Sequence, residues 1–346
     1  MRKIGCEVLY VIGDAILVDT TLDRLVERFL PRCDLYYFEA DHIHRYLIEA
    51  GIPVYTREEF SRSFPRFSLD YGAVYHMFDL ATPEVPWVTL LHAAQWRAID
   101  PALRAELMAS QIRYGRGNVY DADWFGNSDC PVNNTVTVDG LWFYLLTAED
   151  WQVKGLDERK LWVVKWLQEW HKDDGPSVNK QKTVLYCSAS TFPRAALNGG
   201  CERVPYGLIH EYAGRFADHS GPNCFAAAIG MVLGATGVAS YPQSRHVITQ
   251  WLHQGPFFRL LDAQRYRRWA EIQTIERTSP VQPADVLVWC ASDGTAQHAA
   301  FAVSQDTVFQ KEGQGWESPW QLVRLEDVWY NESLQSGGYI ALYRRQ

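Results

Sequence analysis

Ser220-Gly221-Pro222-Asn223-Cys224 is a turn-forming run, and FAAAIGMVLGA (225–235) directly after it is small and apolar enough to make a buried helix. Cys224 therefore falls on the first turn of that helix, where unpaired backbone N–H groups and the positive end of the helix dipole favour a thiolate. A neighbouring imidazole would favour it further, and His298 is the candidate. It opens HAAFAV (298–303), which reads as a buried strand, followed by a polar turn at Ser304-Gln305-Asp306 and a return strand over Thr307–Lys311. Ahead of it, PADVLVW (283–289) reads as another apolar strand.

Strand parity puts Ala300 and Ala302 on the face of His298. A three-residue turn would pair Val303 with Thr307 and bring Gln310 and Glu312 to that face, whereas a two-residue turn would bring Lys311. Three residues is a common hairpin length, and Asp306 tolerates the left-handed conformation such a loop uses. Gln310 is the favoured third residue, because its amide oxygen can accept the imidazole N–H and orient the ring without adding charge. Glu312 is the alternative; a carboxylate would stabilise the imidazolium more, but it adjoins Gly313, where the strand is expected to end. Lys311 is the least suitable, since a cation beside the ring disfavours its protonated form.

The order of cysteine helix, strand, histidine strand and return strand resembles the NlpC-type branch of the papain-like cysteine peptidases, over roughly residues 205–345. In that family a Gly-Asp-Leu-Val opening precedes the histidine strand, matched here by Ala284-Asp285-Val286-Leu287, and a polar residue follows on the return strand, matched by Gln310. The family's Asp-Cys-Ser-Gly is Asn223-Cys224-Phe225-Ala226 in this chain. The resemblance implies an α+β fold, with a papain-like C-terminal domain in which the cysteine helix precedes an antiparallel sheet. It also implies a catalytic set of Cys224, His298 and Gln310. Tyr212, upstream of the nucleophile, and Asn223, beside it, are candidate oxyanion or substrate contacts.

If thiol and imidazole meet, the chemistry is acyl transfer: the thiolate attacks an acyl carbon, a thioester forms, and the imidazolium protonates the leaving group. The resemblance implies an amide or isopeptide bond in a small peptide as substrate, with no cofactor. Two alternatives stand beside a cysteine peptidase or amidase. One is an acyltransferase passing the same acyl-enzyme to an amine or alcohol, and the other a non-catalytic binding protein on a degenerate hydrolase fold.

Composition bounds these readings. The chain's 346 residues, 47% of them hydrophobic, give room for two domains with a core each. The net charge of −8, without a lysine or arginine cluster, argues against nucleic acid as a partner. No stretch has the apolar length of a membrane span. Seven cysteines at irregular spacings argue for reduced thiols in a cytoplasmic protein, against a disulfide framework and against a zinc site. His42 and His44 lack further ligands at suitable spacing, so no metal is expected.

Along the rest of the chain, residues 1–190 read as an α/β domain and 200–346 as the hydrolase domain, with the boundary in the small-residue segment Ser188–Gly200. Helices are expected from Thr20 or Thr21 to Leu30, over Asp41–Ala50, from Asp100-Pro101 to Tyr114, and over Leu156–His171. Strands are expected at Leu35–Glu39, Ile52–Tyr55, Ala73–Phe78 and Thr183–Cys187, and a hairpin around Asp139-Gly140. Trp142, Trp151, Trp162, Trp166 and Trp170 read as core rather than as a ligand platform.

Overall fold

A computed structural model of the chain describes residues 2–4, 7–12, 15–75, 77, 87–121, 134–171, 203–237, 241–273, 280–328 and 337–346. The first three strands, β1 (Arg2–Ile4), β2 (Glu7–Ile12) and β3 (Ala15–Val18), form an antiparallel sheet. Then come α1 (Asp19–Arg28), β4 (Asp34–Phe38), α2 (Asp41–Glu49), β5 (Val54–Tyr55), α3 (Arg57–Ser63), α4 (Pro65–Tyr71) and β6 (Trp87–Leu91). They are followed by α5 (Ala93–Ala98), α6 (Pro101–Arg113), β7 (Val119–Asp121), β8 (Thr135–Val138), β9 (Leu141–Leu145), α7 (Ala148–Val153) and α8 (Leu156–Trp170). The C-terminal part contains α9 (Tyr206–Tyr212), α10 (Cys224–Thr236), α11 (Tyr241–Ile248), α12 (Gln254–Ala263) and β10 (Tyr266–Ile272). Its remaining strands are β11 (Val286–Cys290), β12 (Ala296–Ala302), β13 (Thr307–Lys311), β14 (Trp320–Arg324) and β15 (Tyr339–Arg345).

Two compact units divide the chain: Leu25–Val163, and Met1–Arg24 together with Val164–Gln346. The crossings therefore fall inside α1 and α8. The expected boundary at 188–200 and the expected strand at 183–187 lie outside the described residues.

Within Leu25–Val163 the strands pair antiparallel in the orders β4-β6-β5 and β7-β9-β8. The alternation of strand and helix had suggested α/β; antiparallel pairing makes this unit α+β. Tyr36, Phe38, Ile43, Leu47, Trp96 and Leu107 are among the residues that fill its core. The buried Gln111 of α6 lies beside β4 and completes its hydrogen bonding, accepting from the Tyr37 N–H at 2.9 Å and donating to the Tyr37 carbonyl at 2.8 Å. Asp100 caps α6 and Asp139-Gly140 turns the β8–β9 hairpin with both residues at positive φ. The strand expected from Ala73 is instead a turn, because Tyr75 N–H bonds back to the Tyr71 carbonyl and continues the winding of α4. Of the expected core tryptophans, Trp151, Trp162 and Trp166 are buried, while Trp142 is exposed.

The C-terminal sheet has the order β10-β15-β11-β12-β13-β14, antiparallel throughout. The side chains of β11, β12 and β13 are almost all buried, so this sheet is covered on both faces. One face packs on α10 through Val286, Val288, Ala299, Phe301 and Phe309. The other collects Leu287, Trp289, Ala300, Ala302, Val308 and Val323 in a separate cluster. Both units are thus α+β, and the C-terminal one sets a helical layer on an antiparallel sheet.

Candidate active site

Cys224 is the first residue of α10, and the chain reaches it through Gly221, whose φ of 140° is open to glycine and strained for other residues. Asn223 caps the helix: its Oδ1 accepts the Ala226 N–H at 3.0 Å while its Nδ2 donates to the Leu252 carbonyl at 2.9 Å. Both ends of that amide are committed to holding the turn, so Asn223 positions the cysteine rather than facing a substrate. The thiol is buried, with only 8% of the residue exposed. Burial pushes its pKa up to about 11, against the opposing pull of backbone N–H groups of Ala299, Phe225 and Cys224 itself and of the Lys311 charge. The thiol at rest is protonated.

The hairpin register matches the three-residue turn. Phe301 pairs with Phe309 and Ala302 with Val308, and the Val303 N–H bonds to the Thr307 carbonyl at 2.8 Å. Asp306 closes this turn differently from expectation. It is not at positive φ; its carboxylate accepts from the Ser304 hydroxyl at 2.6 Å and from the Thr307 hydroxyl at 3.0 Å. Gln310 consequently shares the face of His298, and its Oε1 lies 2.8 Å from His298 Nε2. Both residues are buried. Gln321 of β14, paired with Gln310, extends the chain of amides at 3.4 Å.

That face is the one turned away from α10. His298 sits directly across from Trp289, ring centroids 5.2 Å apart, and Trp289 belongs with Leu287, Ala300 and Ala302. Cys224 belongs with Ala299, Phe301 and Val288 on the opposite face. The structure therefore brings His298 and Gln310 together but does not bring His298 to Cys224. The expected meeting of thiol and imidazole is corrected here, and the reason is local. His298 pairs with Trp289 in continuous register and keeps the parity of Ala300 and Ala302, on the face away from α10; the register shift beyond it leaves Gln297 as the extra residue of a bulge and turns Ala296, not His298, toward α10.

Lys311, one residue beyond Gln310, takes the α10 face. It is fully buried, and its Nζ donates to the carbonyls of Gly313 and Gly315, each at 2.7 Å. Glu312 is exposed and lies past the end of β13. Tyr212 stands edge-on to Trp320 at 5.0 Å, and its hydroxyl donates to the Arg245 carbonyl at 3.4 Å. The loop carrying Glu317 is tied to the approach to Cys224 by two bonds, Gly221 N–H to the Gln314 carbonyl at 2.8 Å and Trp316 N–H to the Ser220 hydroxyl at 3.2 Å. Lys311 and Glu317 did not emerge as site residues from the sequence. The available signal was parity: a lysine alternating with Val308 and Gln310 shares the core face of Phe309.

Among the described residues no group of three or more His, Cys, Asp or Glu side chains is arranged to hold a metal ion, and no helix is long and apolar enough to cross a membrane. Compared with protein-family models, curated proteins and solved structures, the chain matches none of them.

Proposed function

We propose that this protein is a cysteine hydrolase that cleaves an amide or isopeptide bond in a small peptide through a thioester on Cys224, on a papain-like C-terminal domain of the NlpC type. The observation that carries the reading is the position of Cys224 at the first residue of α10, where the backbone N–H groups of Cys224, Phe225 and Ala299 favour negative charge on its sulfur and so oppose the effect of burial. Donors grouped around a nucleophile are what a developing oxyanion needs, because they are oriented before the reaction begins. Asn223 and Gly221 hold that geometry, and the antiparallel sheet beneath α10 makes it rigid.

The burial of Cys224 also favours a second outcome for the same thioester, transfer to an amine, because an acyl group there is shielded from bulk water. One experiment tests the reading. The full chain is treated with a peptidyl epoxide or haloacetamide and the adducts are mapped across the seven cysteines. Selective, saturable modification of Cys224 that abolishes turnover of model amides is the expected result, and hydroxylamine trapping then partitions hydrolysis from transfer. Labelling spread over Cys33 and Cys290 with Cys224 inert would overturn the proposal.

A further inference from the structure

A thiol protonated at rest needs a proton acceptor before it can attack, and the imidazole is on the wrong side of the sheet. Lys311 alternates with Gln310 and so shares the face of Phe309, which packs in one cluster with Ala299 and Cys224, and the charges of the Lys311 amine and the Cys224 thiol act on one another. The amine of Lys311 is constrained. Two carbonyls at 2.7 Å take two of its N–H positions, leaving the third for either a proton or a lone pair. The groups around it come from every packed element. Cys224 lies on α10 and Glu317 in the loop after β13, while the Trp320 ring of β14 is 5.9 Å from the amine with Tyr212 of α9 behind it. His171, the residue after α8, reaches the Glu317 carbonyl at 3.1 Å. Glu317 folds over Gly315, where a Cβ would collide with its carboxylate.

We propose that Lys311 is the group that takes and returns the Cys224 proton, with Glu317 as the positioning residue that balances its charge. This rests on the reading of Cys224 as nucleophile. As the Cys224 Sγ–C bond forms, the thiol proton passes to the neutral Lys311 amine. When the C–N bond breaks, the Lys311 ammonium gives that proton to the departing amine, leaving the thioester. In the second half, water attacks the thioester, its proton goes to Lys311, and it returns to the sulfur as the acid leaves.

The electrostatics agree with the geometry. Burial depresses the Lys311 amine to about 8, with Glu317 and Cys224 opposing the shift, so a neutral amine is accessible close to neutral pH. Burial raises the Glu317 carboxyl, and its own N–H and Lys311 oppose that.

The test is the pH dependence of Cys224 alkylation by iodoacetamide in the full chain, followed by mass mapping from about pH 6 to about pH 11. For the wild-type chain the rate should rise through an inflection near that of Lys311. In Lys311→Met the thiol must ionise alone, so the inflection should move up by about two pH units or more, and the rate at the wild-type inflection should fall by about 100-fold. Glu317→Gln removes a charge that holds the ammonium, so its inflection should move down. His298→Ala, on the far face, should leave the inflection in place. A Lys311→Met profile that superimposes on wild type overturns the role of Lys311 while leaving Cys224 as the nucleophile. If Lys311→Met does not fold, an unshifted Glu317→Gln profile overturns it equally. Failure of Cys224 to react in any variant at any pH would instead overturn the reading beneath it.

Discussion

His298 and Gln310 face each other with Nε2 and Oε1 2.8 Å apart, on the side of the sheet turned away from the Cys224 helix. With the amide oxygen accepting, the imidazole Nε2 carries the proton, and the pair is a buried hydrogen bond in the second core cluster. Its contribution is then to stability. Gln310→Leu removes the acceptor of a buried donor and should cost about 1–3 kcal/mol, read as a lowered urea midpoint. The pH profile of Cys224 alkylation should not move. A shifted profile would mean that the dyad reaches the thiol.

Asn223 carries two bonds, one to the Ala226 N–H and one to the Leu252 carbonyl. Asn223→Ala loses the cap on α10, worth about 1 kcal/mol, and also leaves the Leu252 carbonyl without its donor. Thermal unfolding should show a larger loss than for Asp100→Ala, whose side chain caps α6 with a single bond to Ala102 N–H. Equal losses would mean that the Leu252 contact contributes nothing.

Cys224 and Lys311 leave opposite marks on stability against pH. The folded chain keeps the thiol protonated up to about 11. Above the value of about 8.5 for a free thiol, folded protein therefore binds more protons than unfolded, and stability falls as pH rises. The folded chain releases the Lys311 proton at about 8. An unfolded lysine holds it to about 10.4, so across that window stability rises with pH. Lys311→Met should leave the falling limb and Cys224→Ala the rising one, measured as urea midpoints from about pH 7.5 to about pH 10.5. Two variants that both parallel wild type would show that neither group is perturbed by folding.

Ala284 stands at φ 72°, a conformation that costs a residue with a Cβ about 1–2 kcal/mol. Ala284→Gly should therefore raise the unfolding free energy by about 0.5–1 kcal/mol after the added flexibility of the unfolded chain is counted. Its neighbour Asp285 accepts from Arg344 through two bonds of 2.8 and 2.7 Å and from Gln282 N–H at 2.8 Å. Asp285→Ala should cost about 3 kcal/mol, since it leaves a half-buried guanidinium without its carboxylate. Equal stability of all three chains in urea would refute both assignments.

In Leu25–Val163, Arg116 is buried between the rings of Tyr36 and Tyr75, 4.9 and 4.7 Å from their centroids, with Asp34 at 3.6 Å. Asp34→Leu should cost about 3–5 kcal/mol, because it strands a buried cation. The double variant Asp34→Leu, Arg116→Met should recover part of that loss in the same unfolding assay. A double variant less stable than either single change would place the stabilisation in the aromatic contacts instead.

What the chain states locally was legible without its fold. Cap, turn and apolar run are neighbours in sequence, so Cys224 could be placed at the start of α10 from residues 220–235 alone. The hairpin register was equally local, because turn length decides which residues pair, although Asp306 closes the turn by its carboxylate and not by a left-handed backbone. Which face of β12 meets α10 was not local. HAAFAV is apolar on both sides, so alternation carries no contrast between them, and the answer depends on what packs against each face. The same decision sends Lys311 to the face of Phe309 and Cys224, and His298 to the other. Only the tertiary structure makes that choice, because it is fixed by contacts between residues far apart in the chain.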